Sequence, residues 1–400
     1  MTVGWRKAEL QTVTTTFADG DWIETKDQSD SGIRLIQTGN VGDGVFKDRA
    51  EKARFISEET FKRIRCTEIR PGDCLISRLP DPVGRACIIP ETGERMITAV
   101  DCTILRFDRS AMDPEFFVYF AQSRDYLSEI AARSTGTTRL RISRANLGNV
   151  TIPLPTLNEQ KRIVAVLDEA FEGLSRARAN AKANLADAQV LALNHLRNLF
   201  AECERLHSLR RIGDIAEHCL GKMLDKNKNQ GALRPYLRNI NVRWFEVDTS
   251  DMLEMRIEDR EVDRYSAKKG DLLICEGGYP GRAAVWDKDE PVFFQKALHR
   301  VRFSNPAYAT FLMYFLFMKD ATEQLKEHFT GSGIQHFTGQ ALAQFQMPFP
   351  DLGAVGKTVS QIEEVNATTS ALERHYQATI SQLDALRQAL LQKAFSGELT

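Results

Sequence analysis

The sequence predicts a mixed α/β (α+β) chain in which two similar globular modules alternate with two long helices paired as an antiparallel coiled coil. Three observations carry this: motifs that recur about 195 residues apart, two tracts nearly free of glycine and proline, and apolar heptads within those tracts. They divide the 400 residues into a first module over 1–155, a helix over 156–205, a second module over 206–350 and a second helix over 351–400. A chain of this length suits two or three packed units rather than one.

The repeat is read residue by residue. Thr135-Gly136-Thr137 returns as Thr330-Gly331-Ser332, and Pro153-Leu154-Pro155 as Pro348-Phe349-Pro350. Gly72-Asp73-Cys74-Leu75-Ile76 matches Gly270-Asp271-Leu272-Leu273-Ile274, and Gly84-Arg85-Ala86 matches Gly281-Arg282-Ala283. Asn40-Val41 pairs with Asn241-Val242. Chance matches do not keep order and phase over so long a stretch, whereas loops of unequal length drift the offset slightly. Within each module, Gly-Asp followed by an apolar run reads as a turn feeding a buried strand.

The two tracts after Pro155 and Pro350 are rich in Ala, Leu, Glu and Arg. In the first, Leu157, Val164, Phe171 and Leu185 share one heptad position while Leu167 and Leu174 share another. In the second, Ile362, Tyr376, Leu383 and Leu390 hold one position. Such a seam is the mark of paired helices. Arg178 interrupts the first seam, and its repeat equivalent is Glu373. If the helices run antiparallel and their midpoints coincide, these two charges are expected to meet, and the two modules are related by a pseudo-twofold axis.

Composition and failed motifs narrow the function. The 53 basic and 54 acidic side chains exclude any argument from bulk basicity, though a local basic patch stays open. No run approaches the ~20 apolar residues of a membrane span. The start of the chain lacks the apolar stretch of a signal peptide, so a cytoplasmic protein is expected. The seven cysteines are scattered without a CxxC pair, as small buried thiols would be, and no histidine pattern suggests a metal. Asn305-Pro306-Ala307-Tyr308 resembles the Asn-Pro-Pro-Tyr loop of amino-methyltransferases but lacks the second proline. Its repeat partner, Asp113-Pro114-Glu115-Phe116, identifies both as a capped helix start. Residues 353–358 carry Gly-Lys-Thr without the first glycine of a phosphate loop. The chain is expected to be non-catalytic.

Charge at close spacing sits at Arg133, Arg139, Arg141 and Arg144, with no acid among them. Arg139 and Arg141 alternate with Leu140 and Ile142, as in an extended loop with one basic face. Arginine forks read guanine edges or clamp phosphates. The repeated frame carries Gln335 and His336 instead, which suit other base edges. Arg85 and Arg282 follow tight glycine turns, and Arg78, Arg238, Asn239 and Asn241 complete the candidate DNA-binding set. Two halves that share a frame but differ in polar tips are what two different DNA half-sites would require.

These residues resemble a known family. Ile152-Pro153-Leu154-Pro155 followed by Glu159-Gln160 is similar to the Pro-x-Pro…Glu-Gln start of the long helix in specificity subunits of type I restriction-modification systems. The ending Leu390-Leu391-Gln392-Lys393-Ala394-Phe395-Ser396-Gly397-Glu398-Leu399 resembles that family's ending. The second helix start lacks Glu-Gln, so the two sides would be inequivalent if that motif touches a partner.

The resemblance implies that each module is a target-recognition domain reading one half of a bipartite site in double-stranded DNA. It implies that the helices set the spacer and dock two modification subunits, and that restriction subunits join the assembly. S-adenosylmethionine, ATP and magnesium would be held by those partners, with no cofactor on this chain. A helical tract of about 44 residues spans roughly 66 Å, which caps the spacer below about 20 base pairs at ~3.4 Å each. A coiled-coil scaffold without DNA readout, and a self-contained DNA methyltransferase, are the competing readings.

Overall fold

A computed structural model describes residues 4–225, 227 and 229–399. The chain forms two compact units: Met1–Lys182 with Ala378–Thr400, and Ala183–Gln377. The two long helices, Leu157–Leu206 and Leu352–Ser396, are both cut by this division. Each unit therefore holds one globular module, the first part of one helix and the last part of the other.

In the first unit an antiparallel sheet runs Thr14–Asp19, Cys102–Phe107, Cys74–Ser77, Ala86–Ile88. A second sheet is built around the parallel pair Ile33–Ile36 and Met96–Thr98. The strand Arg6–Glu9 pairs antiparallel with Thr151–Leu154, which leads into the first long helix. The second unit repeats the plan. Its antiparallel sheet runs Ala216–Leu220, Leu298–Phe303, Leu272–Cys275, Ala283–Val285. Its second sheet again contains one parallel pair, Ala232–Leu237 with Val292–Phe294.

The repeated Gly-Asp turn shows why those residue types recur. Gly72 and Gly270 adopt φ of 82° and 89°, the left-handed region in which a side chain is strained. The next residue, Asp73, is buried and takes bonds of 2.8 and 2.6 Å from the Arg106 guanidinium on the neighbouring strand. Asp271 does the same with Arg302 at 2.7 and 2.5 Å. A bidentate pair of this kind locks the register of the central strands. The capped-helix reading also holds: Asp113 accepts from the Glu115 N–H at 2.9 Å and Asn305 from that of Ala307 at 3.0 Å. Residues 311–318 lie in the helix Ala307–Ala321, most of whose apolar side chains are buried.

The long helices are held chiefly at their ends. Ile163, Val164 and Leu167 join the first module's core, and so do Leu391 and Ala394 from the other helix. Phe395 meets Phe116 and Phe120 edge-on, both at 5.2 Å. In the second unit Leu196, Phe200 and Cys203 enter the core beside Val355 and Ile362. Phe200, the repeat equivalent of Phe395, lies 5.1 Å from both Phe311 and Phe315. Pairing is antiparallel within each unit. Gln189 meets Glu373 and, further along, Cys203 meets Thr358, so one helix advances as the other retreats. In the first unit Phe171, Leu174, Arg178 and Leu383 line a shared crevice. Leu157, Leu185, Tyr376 and Leu390 are only half-buried, as a two-helix seam allows.

One expectation is corrected. Arg178 does not pair with Glu373: its guanidinium donates to Asp384 at 2.9 Å, while Glu373 accepts from Gln189 at 2.7 Å. Arg178 and Glu373 each lie five residues before the boundary between the units, at Ala183 and Ala378. Arg178 therefore finds its partner within the first unit and Glu373 within the second. The Glu-Gln motif, in turn, is bonded within the first unit itself. Gln160 is fully buried; its Oε1 accepts from the Asp113 N–H at 2.8 Å, and its Nε2 donates to the carbonyls of Ala111 at 2.9 Å and Pro155 at 3.0 Å. Glu159 accepts from the Trp5 indole at 3.2 Å. The second helix start is closed differently: the Tyr308 hydroxyl donates to the Pro350 carbonyl at 2.7 Å, and Asp351 accepts from the Ala354 N–H. The Gly-Lys-Thr of residues 356–358 lies inside the helix.

Replacing Gln160 by Ala strands three backbone groups at once, the Pro155 carbonyl in a buried contact and the other two partly exposed. At about 1–3 kcal/mol for an unsatisfied buried group, Gln160→Ala is expected to destabilise the first unit by about 1–3 kcal/mol in urea unfolding of the full chain. Unchanged stability would show that water or repacking replaces the amide.

Candidate nucleic-acid interface

In both modules four segments gather at one end of the core sheet: residues 38–41, 78–85, 99–101 and 135–142 in the first, and 239–242, 276–282, 295–297 and 330–337 in the second. In the first, the hairpin loop over 135–141 is closed by Thr135 and Arg141, which exchange backbone bonds of 2.9 and 2.8 Å. Gly136, at φ 120°, makes the tight turn; a Cβ there would lie 2.3 Å from the Arg139 carbonyl. The buried Ile142 anchors the loop, and its N–H donates to the Arg78 carbonyl at 3.3 Å. The second module copies this: Thr330 and His336 exchange two bonds of 2.9 Å, Gly331 turns at φ 107°, and the buried Phe337 donates to the Glu276 carbonyl at 2.7 Å. Both tips are open to solvent, with Leu140 and Ile334 exposed.

The structure sorts the sequence candidates into tips and braces. Arg139 and Gln335 stand exposed on the tips. Arg141, half-exposed, pairs with Asp101 at 3.0 Å. His336 and Asn239 line one cleft of about 380 Å³ together with Glu276, Gln295 and Lys296. Asn239 is steadied there by a 3.1 Å bond from its Nδ2 to the Gly277 carbonyl. Arg144 is exposed at the start of a short helix capped by Ser143, and Arg133 pairs with Glu129 one turn back at 3.0 Å.

The remaining candidates face inward. Arg85 is buried, and its guanidinium donates to four carbonyls: Val41 at 2.7 Å, Thr38 at 2.8 Å, Leu79 at 2.9 Å and Pro82 at 3.0 Å. Four of its five N–H donors are thus spent on backbone, and the group lies buried away from any base. Arg282 braces the equivalent turn through the Asn239 carbonyl at 3.0 Å and lies over the Tyr279 ring. Arg78 is buried against the Val100 carbonyl and Asp19, and burial lowers its pKa. Asn241 is buried, donating to the carbonyls of Asp248 and Asp251, both at 3.0 Å, and Arg238 pairs with Asp251 at 2.6 Å. Sequence could not separate these from the tips, because an arginine after a tight glycine turn reads alike whether it points in or out. It also passed over Gln295 and Lys296, which precede a core strand without any local motif.

The chain matches known proteins along most of its length. The sequence profile described as the type I restriction modification DNA specificity domain matches residues 2–183 and again 208–382. The EcoKI specificity subunit of Escherichia coli K12 is 23% identical, the alignment covering 99% of this chain and 89% of the relative. The StySPI specificity subunit of Salmonella potsdam is 22% identical over the same shares. Among solved structures, a chain from work on complex assembly and conformational transition of the type I R-M system superposes with a TM-score of 0.80 at 19% identity, covering 99% of this chain and 98% of that one. The HsdS subunit of Thermoanaerobacter tengcongensis gives 0.62 at 19%, covering 100% and 98%. These likenesses carry the fold. Among the described residues no helix is long and apolar enough to cross a membrane.

The second hairpin rests on a titratable residue. His299 is fully buried, and its Nε2 donates to the Phe337 carbonyl at 2.9 Å, leaving a buried, unpartnered Nδ1. Burial lowers its pKa from 6.5 to about 4, against a smaller opposing effect of the Phe337 carbonyl. Between those values the unfolded chain takes up a proton that the folded chain refuses, so stability falls as pH falls. From pH 8 to pH 5 the expected loss from this residue is about 2 kcal/mol. Urea titrations should show that much less pH dependence in His299→Gln than in the parent; equal dependence would refute the assignment.

Proposed function

From the premise that the chain belongs to the type I restriction-modification DNA specificity family, and is a specificity subunit with two recognition modules, we propose how those modules divide the work. Each loop cluster reads one half of a bipartite DNA site. In the first, Arg139 and Arg141 present guanidinium forks suited to the O6 and N7 of guanine or to phosphate. In the second, Asn239 and His336 present amide and imidazole groups at a cleft that also holds Lys296 and Glu276, and Gln335 adds an amide on the exposed tip. The observation that carries this reading is the repeated hairpin, with the same backbone bonds and different exposed side chains. The inward-facing set of Arg78, Arg85, Arg238, Asn241 and Arg282 would act indirectly, by fixing the loops that carry the readers.

The chain itself would perform no chemistry. Modification subunits bearing S-adenosylmethionine would methylate adenine N6, and restriction subunits would hydrolyse ATP and cut. Exposed apolar side chains on the long helices, among them Val190 and Leu191 at 59% and 72% exposure and Leu386, offer docking area for such partners. The mechanism is positional: groove readout and phosphate contacts deliver a target adenine to a partner able to flip it. A protein-only scaffold would have no reason to vary loop tips on a conserved frame.

Two outcomes test this. Exchange of residues 1–150 for a relative's first module, followed by mapping of adenine methylation in cells supplying the modification subunit, is expected to change one half-site and leave the other. A change in both halves would end the two-reader account. Arg141→Ala should weaken binding of the assembled complex to its site about tenfold, within the 1–3 kcal/mol of one good base contact. Unchanged affinity would remove it from the interface.

A further inference from the structure

The first module carries a basic cleft whose cations have no counterpart in the corresponding segment of the second. Lys47, Arg49, Lys52 and Arg54 are exposed and have no acidic partner among the described residues, and Arg49, Lys52 and Arg54 line a cleft of about 620 Å³. Of the two acids in this stretch, Asp48 is committed to the buried Arg34, which also pairs with Glu94 at 2.9 Å. That leaves Glu51 against four cations.

The cleft is built rather than incidental. Asn40 donates to the carbonyls of Lys47 at 2.9 Å and Asp48 at 3.0 Å, holding the segment against the turn at Thr38–Asn40. Arg49 adopts the left-handed φ of 51°, and its guanidinium lies across Gly39, where a Cβ would sit 2.2 Å from Nη1. The same turn is tied by Arg85 to the carbonyls of Leu79 and Pro82, beyond the Arg78 carbonyl that seats the reading hairpin. An anion in the cleft would thus be fixed in register with Arg139 and Arg141. In the second module the corresponding segment holds Glu246, Asp248, Asp251 and Glu254, with no Lys or Arg before Arg256.

We propose that this cleft seats phosphates of the DNA backbone beside the first half-site, so that the first module is the electrostatic anchor of the complex and the second depends more on base contacts. The proposal rests on the DNA-reading role argued above. Each phosphate neutralised contributes about 0.9 to the slope of log affinity against log salt.

The test uses the complex assembled with its modification subunits and DNA carrying both half-sites, comparing the parent with the variant R49Q/K52Q/R54Q. The slope is expected to shrink by about 2.7, so that raising salt from about 50 to about 200 mM costs the variant roughly fortyfold less affinity than the parent. The preference for the correct first half-site should be unchanged. Methylphosphonates replacing the first half-site's phosphates should erase the difference between the two proteins, whereas a site for free phosphate would leave it in place. R49K/R54K should keep the parent slope, and all substituted positions are exposed, so unfolding curves should coincide. An unaltered slope in a complex that still binds its site selectively overturns the cleft; a parent complex without selectivity overturns the DNA-reading role itself.

Discussion

Phe200 and Phe395 anchor the two long helices. Each ends a long helix, each is driven into the core of a module other than the one from which its helix departs, and each meets a pair of aromatic side chains there. Full burial of such a side chain is worth about 1.5–3 kcal/mol, and the neighbouring Leu196, Cys203, Leu391 and Ala394 add to it. The lateral contacts between the helices, Arg178 with Asp384 and Gln189 with Glu373, are largely exposed and of a kind worth about 0.2–1 kcal/mol. The helices are paired because their ends are anchored, and the seam between them follows.

That anchoring lets each module separate what must stay from what can change. The strand register is locked by Asp73 with Arg106 and by Asp271 with Arg302. The turn beneath the interface is braced by Asn40 and Arg85 in one module and by Asn241 and Arg282 in the other. Beyond these braces the two modules part: Arg141 stands where His336 does, and its partner Asp101 gives way to Ala297. Polar groups that face inward are constrained by the carbonyls they satisfy, whereas groups at the tips face only solvent or a ligand.

Much of this was legible in the sequence, and the part that was not has a physical reason. Repeat, capped helices and heptads are local or periodic signals, and the elements follow them closely. The side chain of Gln160 was visible as half of a motif, but its burial depends on Ala111 and Asp113, some fifty positions away in the chain. Arg85 and Arg139 are the same residue type in similar company, and only the packing of Thr38 and Val41 around Arg85 tells them apart. The meeting of Arg178 and Glu373 failed because register is set where the helix ends dock, not at their midpoints. The basic cleft escaped notice because Asp48 and Glu51 dilute its charge along the chain, while in space Asp48 turns away to Arg34.

The interleaving of helix ends also imposes an order of assembly during synthesis. The second unit is one continuous stretch, Ala183–Gln377, and all of it is synthesised before Leu391, Ala394 and Phe395. The first unit is begun earlier but completed later, because Leu391, Ala394 and Phe395 belong to its core. The module translated first is therefore the last to close, and until it does its exposed aromatic socket is a surface that needs shielding.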